Sequence, residues 1–207
     1  MRTADPELHE RRRTQILLAA RRAFLERGFH QTSMADLAKA SGVSMGLLYR
    51  YFANKEDLIA QFAERDRDVS LRRIEALAAA DDWVAALEAL LGPVVDEAFE
   101  ADAAPLTFEV LAEACRTPRV LKRLRRDDQL VRQALVDAVE LHQRRGTMSK
   151  AYDARAAAEV LLSLFDGLLG RALMHPGLSR RALRQALRGF VVAALSPPRQ
   201  PMKLASP

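Results

Sequence analysis

Between Thr32 and Phe52 the chain concentrates side chains able to hydrogen-bond to a polyanion: Thr32, Ser33, Ser44, Tyr49, Arg50 and Tyr51, with Lys55 just beyond. Val43, Leu48 and Phe52 are spaced to bury one side of a short helix. That leaves Ser44, Met45, Gly46, Leu47, Tyr49, Arg50 and Tyr51 wholly or partly exposed. Hydroxyls and a guanidinium bind phosphate oxygens, and a few such groups on one face reach base edges. Gly46 lets that face approach a surface closely. Lys55 opens the next helix, where its charge and the free backbone N–H groups suit a phosphate. The chemistry expected of this stretch is recognition of double-stranded DNA.

Catalytic chemistry is harder to assemble. Glu109 and Glu113 are four apart and share a helix face, which suits acid–base work or a metal. A helical di-iron site needs Glu-x-x-His motifs, and none occurs. His9, His30, His142 and His175 are scattered, and there is no Gly-rich phosphate loop or nucleophile elbow. The single cysteine, Cys115, rules out a disulfide within the chain and a cysteine zinc cluster. It is expected to be a small buried hydrophobe in a reducing, cytoplasmic compartment. The expectation is a protein that is not an enzyme and uses neither metal nor cofactor.

The elements that must position these residues read as helices throughout. Ala, Leu and Arg abound and no strand-like alternation appears, so the fold class is all-α. A length of 207 residues allows one large domain or two modest ones. The net charge of +5 fits a polyanion without requiring one. The N-terminus lacks an apolar signal core, and the apolar run from Val160 to Leu173 is too short and too interrupted to span a bilayer.

Nine helices are expected. The first runs from about Glu10 to Arg27, on the spacing of Ile16, Ala20, Ala23 and Phe24, and Gly28 ends it as a C-cap. Ser33 and Asp36 form a capping box for the second, Gly42 turns it into the third, and Asn54 caps the fourth. Asp81 or Asp82 caps a fifth helix to about Ala101, kinked or broken at Gly92-Pro93. Pro105 opens the sixth, Thr117-Pro118 the seventh, Asp153 the eighth and Ser179 the ninth. The domains expected are a disordered arm at 1–9, a helix-turn-helix domain at 10–54, a second helical domain at 55–195, to which the family resemblance given below assigns effector binding and dimerisation, and a disordered tail at 196–207.

The eighth helix is apolar nearly all round and the ninth carries a clean apolar stripe, so both need cover beyond one chain's core. Leu161, Leu164 and Leu168, with Leu183, Leu187, Phe190 and Val191, are expected at a symmetric four-helix dimer interface. Between Arg73 and Arg116 the chain has no Lys or Arg but ten acids, Glu109 and Glu113 among them. Trp83, Phe99, Phe108 and, from the eighth helix, Phe165 add aromatic faces. Apolar walls with a few polar groups are usual for a small-molecule site, and carboxylates with aromatics lean toward a cationic effector. The competing expectation is that these acids are solvated or pair with the basic runs Arg116 to Arg126 and Arg180 to Arg188.

Ser33-x-x-x-Leu37-Ala38, Ser41-Gly42-Val43-Ser44 and Leu48-Tyr49-x-Tyr51-Phe52-x-x-Lys55-x-x-Leu58 together resemble the DNA-binding domain of the TetR/AcrR regulators. Gly46-Leu47 stands where Thr is common in that family. The resemblance implies a homodimer, a palindromic operator and an effector pocket in the second domain, with a ligand that releases DNA from a repressor. It implies phosphate contacts for Thr32, Ser33, Tyr49, Tyr51 and Lys55, and places Ser44, Met45, Gly46 and Arg50 nearest the bases. Residues 105–174 resemble the effector domains of choline–betaine regulators, through Pro105 to Cys115, Thr117-Pro118, Gly146 and Asp166-Gly167-Leu168; no ligand is carried over from them. An effector-independent DNA binder and a helical enzyme stand as alternatives.

Overall fold

The structure, a computed structural model, describes residues 6–198. The described residues form nine α-helices: α1 (Pro6–Arg27), α2 (Met34–Ser41), α3 (Met45–Tyr51), α4 (Lys55–Ala79), α5 (Trp83–Ala98), α6 (Ala103–Arg116), α7 (Pro118–Arg145), α8 (Ala154–Met174) and α9 (Arg180–Leu195). None of them is long and apolar enough to cross a membrane. The expected disordered arm falls partly outside the described residues, at 1–5. Its remainder is helical, because Pro6 is preset for a first helical position and Glu7 pairs with Arg11 one turn on at 3.1 Å. Of the expected tail, residues 199–207 lie outside the described residues.

The chain divides into two compact units. One comprises residues up to Asp68 with Glu100–Gln129, the other Val69–Phe99 with the residues from Leu130 onward. The helices α4 and α7 each supply a half to both.

The first unit is built on Ile16, Ala20, Ala23 and Phe24, the buried face of α1. Leu37 and Ala38 of α2, Leu48 of α3, Phe52, and Leu58 and Ile59 of α4 complete the core, joined by Val110 and Ala114 of α6 and Val120 of α7. Burying each Leu, Ile or Phe contributes roughly 1.5–3 kcal/mol. Ala38 is small and 5% exposed, which lets helices meet closely there.

The second unit packs α5 against α8 and α9. Leu87, Leu91 and Val95 of α5 meet Ala158, Leu161 and Leu168 of α8 and Leu187, Val191 and Leu195 of α9. The helix α5 is continuous through Pro93 and ends at Ala98, earlier than expected. Proline removes one donor without ending the helix, whose buried stripe runs through Leu91 and Val95 on both sides of it. The turn after α7 is held by side chains. Trp83 donates its indole N–H to the Thr147 carbonyl at 2.9 Å. The fully buried His142 ring bridges the Leu77 carbonyl and the Thr147 hydroxyl, both at 2.9 Å.

Candidate nucleic-acid interface

The turn between α2 and α3 is set by local chemistry. The Asp36 N–H donates to Ser33 Oγ at 3.1 Å while the Asp36 carboxylate accepts the Ser33 N–H at 2.9 Å and its hydroxyl at 2.6 Å. The Ser33 hydroxyl and then its backbone N–H hold the Asp36 carboxyl below the usual carboxylate range. Gly42 takes φ 66°, a conformation that favours a residue without Cβ, and Val43 N–H closes onto the Ala38 carbonyl at 3.1 Å. Gln15 of α1 donates to the Ser41 carbonyl at 2.6 Å, fastening the turn to α1.

On α3, Leu48 is fully buried and Phe52 nearly so. The opposite face carries exposed Ser44, Met45, Gly46, Tyr49 and Arg50. Ser44 is the N-cap and accepts the Leu47 N–H at 3.2 Å, so its hydroxyl proton is available to an acceptor. Arg50 makes no ion pair among the described residues, and nothing lies within 4 Å of a Cβ built on Gly46. This seven-residue helix thus presents one guanidinium, one exposed phenol and an unobstructed Gly46 on a single side.

Four of the expected phosphate contacts are engaged within the chain. Thr32 is fully buried, its hydroxyl within reach of the Gly28 and Ala23 carbonyls at 2.9 and 3.3 Å. Its side chain therefore leaves the candidate set. Lys55 donates its ammonium to the Phe29 carbonyl at 2.8 Å and sits 4.4 Å from the Phe29 ring centroid. It is a bolt between α4 and the α1–α2 turn rather than an outward charge. Ser33 remains exposed, but its hydroxyl belongs to the cap. Tyr51 is half-buried and stacks on His9 with ring centroids 4.6 Å apart. Residue 9 lies in the expected arm, and its contact with Tyr51 follows from the helix start at Pro6-Glu7.

The expected effector residues divide between the two units. Trp83 is 4% exposed within its unit's core. Phe99 and Phe165 pack half-buried against that core, with the Arg180 guanidinium 5.3 Å from the Phe99 ring. Phe108, Glu109 and Glu113 belong to the other unit. There Glu109 accepts the Phe29 N–H at 3.2 Å, and the buried Glu113 carboxylate lies 3.2 Å from the exposed His30 ring and accepts the Thr117 hydroxyl. Both carboxylates are thus ties from α6 to the α1–α2 turn. Phe108 is exposed. So is Cys115, contrary to expectation, because α6 turns Val110, Glu113 and Ala114 inward. A shallow groove of about 430 Å³ between α4 and α7 contains none of the six expected effector residues.

The expected dimer residues divide as well. Leu161, Leu168, Leu187 and Val191 are buried in their own chain's core and Leu183 packs against it. Leu164 and Phe190 are exposed, Phe190 at 75%. With them lie Val160 and Gly167 of α8 and Ala186, Gly189 and Ala193 of α9, all exposed and spaced along one face of each helix. Nothing lies within 4 Å of a Cβ built on Gly167 or Gly189.

Two family models match the chain. One, "Bacterial regulatory proteins, tetR family", covers residues 16–62, and the other, "BetI-type transcriptional repressor, C-terminal", covers residues 79–196. The chain is 30% identical over 188 residues to the HTH-type transcriptional regulator UidR of Escherichia coli K12, covering 89% of this chain and 93% of that protein. It is 29% identical over 174 residues to the HTH-type transcriptional regulator TtgR of Pseudomonas putida, covering 79% of this chain and 81% of that protein. Among solved structures, Salmonella enterica GusR superposes with a TM-score of 0.75 at 28% identity, covering 93% of this chain and 98% of that one.

Proposed function

Because the chain belongs to the TetR family of bacterial regulatory proteins, and so is a DNA-binding regulator of transcription rather than an enzyme, we propose that it is a repressor whose homodimer leaves a palindromic operator when a small molecule binds. The observation that carries this reading is the exposed face of α3, with Ser44, Met45, Gly46, Tyr49 and Arg50 presented and Leu48 anchored in the core. In this reading Tyr49 and Ser44 hold phosphates, and Arg50 and Met45 face base edges from the open ground around Gly46. Ser33 and the rim of Tyr51 add backbone contacts.

Dimerisation through α8 and α9 is supported by the exposed stripe of Val160, Leu164, Gly167, Ala186, Gly189 and Phe190. The two glycines leave room for close helix approach. Effector control is supported by the repressor-type family match over residues 79–196. Effector-independent binding is the second reading, favoured by the engagement of Trp83, Glu109 and Glu113 inside the protein.

The experiment is selection of duplex fragments by the purified protein, followed by a compound screen for release of the selected DNA. A pseudo-palindrome and a releasing compound are expected. Equal affinity for every sequence would defeat the operator reading, and an operator that no compound releases would favour the second reading.

A further inference from the structure

The chain has two basic runs, and the structure treats them differently. On α9, Arg180 and Arg184 reach Asp96 at 3.9 and 3.5 Å, and Arg188 pairs with Glu88. Three of that run's four arginines, all but Arg181, are thus paired with acids of their own unit. From Arg116 to Arg126 there are six cations and no acid. Only Arg123 is ion-paired there, to Asp57 at 3.3 Å and to Glu64. Arg116, Arg119, Lys122, Arg125 and Arg126 are exposed, and none of them forms an ion pair among the described residues. Arg119, Lys122 and Arg126 follow at i, i+3 and i+7, one solvent-facing stripe of α7. The acid that ends the run, Asp127, is buried and bonded to Arg67 at 2.6 Å.

This stripe is anchored to the helix-turn-helix at both of its edges. Arg116 lies 3.5 Å from the His30 ring, in the turn that leads to the Ser33 cap of α2. Arg123 holds Asp57, whose carboxylate accepts the Ala53 N–H at 3.1 Å in the turn just after α3. Both anchors and the recognition helix belong to one compact unit. Five uncompensated cations on the unit that carries the DNA reader are complementary to the phosphates of the same duplex.

We propose that the exposed basic face of α7, Arg119, Lys122 and Arg126 with Arg116 beside them, is a second DNA contact that grips backbone phosphates outside the stretch read by α3. The contact is blind to sequence and extends the footprint. It rests on the DNA-binding reading above.

The test is Arg119→Ala/Lys122→Ala/Arg126→Ala, compared with Arg50→Ala, on the selected operator and on random duplexes. Each duplex is made in two lengths, one trimmed to the half-sites and one extended by about one helical turn, ~10 base pairs, on each side. The triple variant should bind the extended duplexes roughly tenfold more weakly at about 0.1 M salt, with a salt slope shallower by about two to three. The loss should be the same for operator and random sequence and should vanish on trimmed duplexes, while Arg50→Ala loses the operator preference on both lengths. Unchanged helix content and thermal midpoint confirm that only surface charge was removed. If the triple variant keeps wild-type affinity and slope on extended duplexes while Arg50→Ala still loses preference, the α7 contact is wrong and the helix-turn-helix reading stands. The same holds if the variant loses only binding to phosphatidylserine vesicles. If the wild type shows no salt-dependent duplex binding, both readings fall together.

Discussion

Arg50 and Lys55 stand five positions apart, and the protein uses their charges oppositely. Arg50 points to solvent without an ion pair, whereas Lys55 closes on the Phe29 carbonyl and ring. Arg50→Ala is therefore expected to leave unfolding in urea unchanged and to lower specific DNA affinity by about 1–3 kcal/mol, read by titration on the selected operator. Lys55→Met should do the reverse in the free protein. It strips a half-buried carbonyl of its donor, and the urea midpoint should fall by an amount worth about 1–3 kcal/mol. An unchanged midpoint for Lys55→Met would return that lysine to the phosphate contacts. Asp36 gives a proton-linked test. Its carboxyl is lowered in the folded chain by Ser33, so its contribution is present above the ordinary carboxylate range and disappears as pH falls through the folded value. Wild-type thermal midpoints should drop between about pH 5 and pH 3 by more than those of Asp36→Asn. Equal drops would mean that the cap contributes nothing.

At the scale of elements, what could be read in the sequence is what is decided within one or two turns of chain. Ser33 with Asp36, Gly42, Asp153 and Ser179 all cap or turn the helices that their types announce, because each bonds to backbone within four residues. The exposed face of α3 was legible for the same reason, since Leu48 and Phe52 fix which way the helix rolls. What was not legible depends on partners far along the chain. Glu109 accepts the N–H of Phe29 from eighty positions away, and Lys55 donates to the carbonyl of the same residue from twenty-six. Their types announce an acid and a base free for ligands; only packing reveals them as ties. Start points also slipped where one residue plays two parts. Pro105 lies in the first turn of α6, where its missing N–H is harmless, so it did not mark the first helical position. Gly42 lends itself to a direct test. Its φ of 66° makes Gly42→Ala unfavourable by about 1–2 kcal/mol, measurable as a lower urea midpoint and weaker operator binding together. A variant as stable as wild type would place the turn's glycine requirement in doubt.

At the scale of the molecule, α8 and α9 each have two working faces. One closes the core through Leu161, Leu168, Leu187 and Val191, and the other leaves Val160, Leu164 and Phe190 in solvent. The apolar character of these helices predicted cover on both sides; the burial of the individual leucines decides which side belongs to the single chain. Phe190→Glu and Leu187→Glu should then part company. The first places a charge where the chain alone exposes it, so a folded monomer with native helix content and weakened operator binding is expected in sedimentation and circular dichroism. The second buries an unpaired charge, at a cost of several kcal/mol, and should unfold the second unit. If the wild type sediments as a dimer and Phe190→Glu does the same, this face is not the interface.

The chain's one tryptophan, Trp83, lies in the core of the second unit with its indole tied to Thr147, while of the three tyrosines Tyr49 and Tyr51 lie in the first unit and the exposed Tyr152 in the second. Excited apart from the tyrosines, this one indole is a fluorophore that watches one half of the protein only. Its emission should be blue and slow to quench in the native state. It should register events around α5 and the turn after α7, and stay silent when the recognition helix alone is disturbed. Followed beside far-ultraviolet ellipticity, which counts helices from both halves, the same unmodified sample offers two clocks. Coincident urea transitions would mean that the two cores melt as one, and a gap between them would measure how far each half can loosen while the other stays intact.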